Sequence, residues 1–192
     1  KLPRGITIFN LEIMLKYILK IFKKIKIMLG LGLGIQHQHE MHLHIGMDYQ
    51  GGIIFWLNGS GGGLIAAPAD DANVQWGCYG TGLHAEDTDI GTGFTNTNTI
   101  VNACTTADIA ADICMDKSLS GYTDWFLPSK DELNQMYLNK TAIGGFAGAL
   151  YHSSSEYSVS HHWQQHFGSG AQTKTGYTRS ATNLRLRAIR DF

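Results

Sequence analysis

From Asp70 to Asn98 the chain is rich in glycine, aspartate, asparagine and threonine, so its fold must carry a long loop in the middle. Trp76, Tyr79 and Phe94 interrupt that stretch, and burying their rings is the expected means of pinning it. Shorter regular elements flank the loop. Gly51 to Leu57 is a β-rich run closed by Asn58-Gly59-Ser60-Gly61, and Leu64 to Ala67 follows as its hairpin partner. Helical periodicity runs through Ile100 to Cys104 and again from Ala107 to Met115, with Thr105 or Thr106 as the expected N-cap. Ser129 and Glu132 form a capping box, and Leu133, Met136 and Tyr137 give the apolar face of a helix ending near Asn139. Pro128 stops a preceding strand, Trp125 to Leu127. Leu184 to Arg190 alternates apolar and basic residues, as a half-buried strand closing the sheet would. The expected class is α+β, with two main helices, short antiparallel strands and long loops.

Charge divides the chain at Gly46. Before it stand seven basic residues against two acids, a net of +5, and after it eight against fourteen, a net of -6. This sets residues 1–46 apart from a globular domain over residues 47–192. A domain that acidic lacks the concentrated basic face that nucleic-acid binding needs. Ile13 to Leu29 interleaves isoleucine, leucine and phenylalanine with five lysines, as in a basic amphipathic helix on an anionic membrane, and those lysines forbid an uninterrupted bilayer span. The segment reads as a signal, an anchor or an assembly helix. His37, His39, His42 and His44 follow; with no cysteine or paired carboxylate beside them they read as a histidine-rich linker, not a metal site.

Three cysteines leave one over if a single disulfide forms. Cys114 recurs with Ile109, Ala110 and Ile113 at helical spacing and reads as a packed thiol, whereas Cys78 and Cys104 are the better candidates for a bridge. Glu86, Asp87 and Asp89 supply hard oxygens that suit a structural calcium, but three acids in one loop are more often only solvated, so no cofactor is expected.

Five phrases carry a resemblance. They are Tyr49-Gln50-Gly51-Gly52-Ile53-Ile54-Phe55; Trp76-Gly77-Cys78; Ile90-Gly91-Thr92-Gly93 with Asn96-Thr97; Asp124-Trp125-Phe126-Leu127-Pro128-Ser129 to Glu132-Leu133; and Arg187-Ala188-Ile189-Arg190. In this order they resemble the Legionella collagen-like protein C-terminal domain family, over about Tyr49 to Phe192. The resemblance implies a C-type-lectin-like fold on an exported, surface-attached or phage-borne protein that binds a ligand or adheres. Some relatives are variable proteins of diversity-generating retroelements, whose codons near the C-terminus are mutagenised. Here Ser153 to Tyr157, Trp163-x-Gln165-x-Phe167 and Gly170-x-Gln172 look like a fixed frame, while His152 stands where a tryptophan is expected.

On that resemblance Ser158, Ser160, His161, His162, Gln164, His166, Ser169, Ala171, Thr173, Thr175, Tyr177 and Arg179 are the expected ligand-binding positions, all facing outward. Trp125, Pro128, Ser129, Glu132, Trp163 and Phe167 are the structural anchors. Rigid rings with exchangeable polar neighbours suit recognition of a protein or a glycan on another surface. The tripeptides by which calcium-dependent lectins read sugars, Glu-Pro-Asn and Gln-Pro-Asp, do not occur among Pro3, Pro68 and Pro128. Formylglycine-generating enzymes, which share the implied fold, need paired cysteines near the C-terminal end, and the last cysteine here is Cys114. Ser153 to Glu156 with His161 and His162 offer hydrolase residue types without a triad spacing, so no enzyme is expected. The alternative is a structural subunit of a surface filament or membrane-attached assembly, homo-oligomeric through its N-terminal helix.

Overall fold

The computed structural model describes residues 14–22, 42–174 and 178–192. The chain divides between His42 and Leu43 into two units. The first carries one described helix, α1, over residues 14–22, all of whose residues are exposed. The remainder of residues 1–41, with His37 and His39, lies outside the described residues.

The second unit, Leu43–Phe192, is α+β. Strands β1 (Asp48–Tyr49), β2 (Gly52–Leu57), β3 (Gly63–Ala66) and β7 (Ile189–Asp191) form an antiparallel sheet in the order β1-β2-β3-β7. A second sheet, β4-β5-β6, is built from Leu150–Ser158, His161–His166 and Gln172–Thr173. Helices α2 (Gly93–Ala103), α3 (Ala110–Met115), α4 (Lys130–Leu138) and α5 (Lys140–Ile143) lie between the sheets in sequence.

The first hairpin forms as its residues dictate. The Asn58 side-chain oxygen accepts from the Ser60 and Gly62 amides at 2.7 and 3.1 Å, which closes the turn. Successive residues of β2 face opposite sides of the sheet. Ile54 packs with Ile65, Trp76, Ile100 and Trp125, while Phe55 packs with Leu64, Phe126, Leu133 and Ile189. Both faces are therefore covered, which is why this strand is apolar throughout and not alternating.

The C-terminal strand does close the sheet, but only over Ile189–Asp191, against β3. Upstream, Leu184 to Ala188 runs extended and satisfies its backbone elsewhere: Leu186 and Ala188 carbonyls accept from the Asp71 and Ala67 amides. Its basic residues are not all on a wet face. Arg187 is buried with its guanidinium on Asp70 and on the Gly144 and Gly145 carbonyls, and Arg190 is buried against Asp124 and Gln50. Trp125 to Leu127 likewise makes a single bridge, Phe126 to Ile189, instead of a strand.

Helix α4 starts and stops where its capping residues place it, with Ser129 as N-cap and Asn139 as C-cap. Helix α2 begins earlier than periodicity indicates, inside the expected loop. Helix α3 is capped at Ile109, whose amide donates to Asp112, and not at Thr105 or Thr106. Cys78 and Cys104 are joined, and Cys114 is free and buried. Of the three loop aromatics, Trp76 is fully buried, but Tyr79 and Phe94 are exposed, so one ring and the disulfide hold the loop in place of three rings.

Candidate ligand-binding surface

Arg179 and Glu156 organise one end of the second sheet. Both are buried, and their side chains pair at 2.5 Å. The guanidinium also donates to the carbonyls of Thr81 at 2.7 Å, Cys78 at 3.3 Å and Ser158. The other carboxylate oxygen accepts from the Leu83 and Ala85 amides at 2.9 and 3.3 Å. An ion pair removed from water is tolerated when most of its remaining donors and acceptors are met; here backbone meets them except at Arg179 Nε, which has no hydrogen-bond partner among the described residues. Burial lowers the Arg179 pKa, and the Glu156 carboxylate opposes that shift. The pair clamps three segments together: the loop over residues 78–85, the β4–β5 turn and the chain at Thr178 to Ser180.

Beneath the clamp is a second buried group. The Arg179 guanidinium lies 4.5 Å from the Trp76 ring centroid, and His162 stacks on that ring at 5.1 Å. Trp76 Nε1 donates to the Ser153 carbonyl at 2.6 Å. His162 Nε2 and His152 Nδ1 are 2.8 Å apart, and His152 Nε2 is 3.0 Å from the Val74 carbonyl. A carbonyl only accepts, so His152 carries its proton on Nε2, and His162 donates to its Nδ1. Burial pushes the His152 pKa down to about 4 and His162 well below the usual histidine range, where His152, Arg179 and His161 add to the effect. Both rings are neutral and structural.

At this end of the second sheet the exposed surface is partly apolar. Tyr79 is 59% exposed, Tyr157 46% and Val159 50%. The loop bearing Tyr79 lies against the turn bearing Val159, through a 2.7 Å bond from the Gly80 amide to the Val159 carbonyl. Ser158, Ser160, His161 and Thr178 are half-exposed around them, and Ser180 is exposed. Trp163 is half-buried, not a core anchor: its ring meets Tyr157 at 6.0 Å and has the Lys130 and Lys174 ammonium groups 5.6 Å away. Lys174 lies 4.1 Å over Tyr157.

The expected ligand-binding residues do not form one face. Ser158, Ser160 and His161 sit at the β4–β5 turn; His166, Ser169 and Ala171 sit at the β5–β6 turn, the opposite end of a strand roughly 17 Å long at about 3.3 Å per residue. Thr173 lies half-buried in β6, beside Gln164. His162, Gln164 and Arg179 are buried, contrary to expectation. The reason is that β5 is covered on both faces: His162 turns toward Trp76 and His152, whereas Gln165 turns toward Asn134 of α4. Thr175 and Tyr177 lie outside the described residues.

Of the other residues read as anchors, Trp125, Pro128, Ser129, Glu132 and Phe167 are buried. Gln165 donates to Asn134 and to the Gly170 carbonyl, and Gln172 to the Lys130 carbonyl, so the glutamines of the expected frame fasten the second sheet to α4. Val159, between Ser158 and Ser160, is exposed as a displayed position would be, whereas Tyr79 and Tyr157 were missed as surface residues, because aromatic side chains in a loop-rich sequence read as anchors.

Among the described residues the surface holds no serine–histidine–carboxylate array. The Ser160 hydroxyl is 2.9 Å from His161 Nδ1, but these are sequence neighbours, and Glu156 is committed to Arg179 and two amides. In the acidic loop the Asp87 carbonyl is taken by Asn96 and Ser155, and the Asp89 carbonyl by Thr92 and Ser129. Among the described residues no group of three or more histidine, cysteine or acidic side chains is placed to hold a metal. No family model matches the chain, and no curated protein matches it.

Proposed function

We propose that the globular unit is an exported ligand-binding module of C-type-lectin-like architecture, which recognises a protein or glycan on another surface and catalyses nothing. The observation that carries this reading is that exposed Tyr79 and Val159 lie on a loop and a turn fixed by a buried, backbone-bonded ion pair, with exposed Tyr157 on the adjoining strand, packed on Trp163. Rigid aromatic contacts on a fixed backbone bind with little loss of conformational freedom, and the serines and histidine among them supply adaptable hydrogen bonds. Pairing of the last strand with the first hairpin, two principal helices and a small second sheet set in long loops agree with that architecture. The internal disulfide agrees with an oxidising compartment.

The direct test is binding of the wild type and of Tyr79→Ala, Tyr157→Ala and Val159→Ala to arrays of immobilised glycans and surface proteins, with thermal melts alongside. Each variant is expected to lose binding tenfold or more while its Tm stays within about 2 °C of wild type, as surface substitutions do. Unchanged binding in all three would refute the assignment. In the same reading the segment over residues 151–192 is diversified. The source locus should then hold a reverse transcriptase and a near-copy of that coding segment.

A further inference from the structure

Helix α1 exposes apolar residues on most of its circumference. Met14, Leu15, Tyr17, Ile18, Leu19, Ile21 and Phe22 are each between 41% and 68% exposed. At about 100° per residue these seven cover an arc of roughly 200°, and Lys16 and Lys20 share the opposite stripe. A helix this short is marginal in water on its own, so that arc requires a partner.

The charge pattern selects the partner. Lysines stand at 16, 20, 23, 24 and 26, and the acids before the globular unit are Glu12 and Glu40 alone. Packing against a second copy would bring two sets of lysines together. Phosphate-bearing headgroups would neutralise them while the acyl boundary receives the apolar arc. Among the described residues no helix is long and apolar enough to cross a membrane. We propose that α1 is an interfacial helix that docks the chain flat on an anionic bilayer. The globular unit, at a net -6, has no attraction of its own to such a surface, so α1 carries the binding. This does not rest on the ligand-binding reading and fails or stands separately from it.

The test is co-sedimentation of the full chain with vesicles of phosphatidylcholine alone and of phosphatidylcholine mixed with phosphatidylglycerol. Partitioning into the anionic vesicles should exceed that into neutral ones by tenfold or more at 0.1 M salt, and fall as salt rises. Lys16→Gln/Lys20→Gln should remove roughly tenfold or more of the anionic preference, and Leu15→Ser/Leu19→Ser should lower partitioning into both vesicle types. Both variants leave the melt of the globular unit unchanged. Absence of vesicle binding, or equal partitioning that the lysine changes do not alter, would overturn the proposal. So would concentration-dependent self-association in lipid-free buffer that Leu15→Ser/Leu19→Ser abolishes, since that assigns the apolar arc to a second copy.

Discussion

Arg179 reads as a displayed position in the sequence, yet it holds the candidate surface together. Its guanidinium meets three carbonyls and one carboxylate with no exposure, so Arg179→Met would leave Glu156 buried and uncompensated. The expected loss is about 3–5 kcal/mol in urea denaturation; a loss under about 1 kcal/mol would mean the clamp is not structural. The histidine pair gives a pH dependence. The folded pKa values lie below the unfolded value, so the stability they contribute is present above about pH 6.5 and is lost as pH falls toward about 4, where the unfolded chain binds protons that the folded one excludes. His152 alone accounts for about 2 kcal/mol between pH 7.5 and pH 5, and His162 acts in the same direction. Glu132 and Asp191, raised by burial, act oppositely and gain stability as pH falls through the carboxylate range. Denaturation of the wild type and of His162→Phe at the two pH values checks this, because the variant should show the shallower dependence.

At the level of elements, α4 was legible because its signals are local. The Ser129 side chain accepts from the Glu132 amide, and Glu132 accepts from the amides of Ser129 at 2.7 Å and Gly91 at 2.7 Å, so it also ties down the preceding loop. Ser129→Ala should therefore cost about 1 kcal/mol, and Glu132→Ala at least twice that, in paired urea titrations. Helix α2 was only half legible. Its first turns, rich in threonine and asparagine, are poor helix formers that tertiary bonds compensate: Thr97 accepts from the Leu127 amide at 3.1 Å, and Asn96 donates to the Asp87 carbonyl at 2.6 Å. The same dependence on distant partners hid the burial of Arg187 and Arg190. An arginine in an alternating run signals a wet face unless a carboxylate far off in sequence meets it, as the partly buried Asp70 meets Arg187 and the exposed Asp124 meets Arg190.

Across the whole molecule, the places of Cys78 in a glycine-rich loop and Cys104 at a helix boundary were enough to pair them, but the sequence did not tell displayed positions from buried ones. Polar residues on β5 face outward only if one side of the sheet is open; Trp76 closes one side and α4 the other, and no periodicity in the strand itself reports those neighbours. What survives of the expected surface lies at the turn that the disulfide helps to fix, since Cys78 begins the loop whose carbonyls receive Arg179. A link across a sequence separation of 26 restricts the unfolded chain by about 3.5 kcal/mol. Reduction should lower the urea stability by that amount and weaken ligand binding in step. Thiol titration isolates the cause. Cys114 is buried and its pKa is raised well above the usual thiol value, so the native oxidised protein should show no reactive thiol, the unfolded oxidised protein one, and the unfolded reduced protein three. Two or more reactive thiols without reductant would mean that the bridge is absent and that Trp76 and the Arg179–Glu156 pair hold the loop without it.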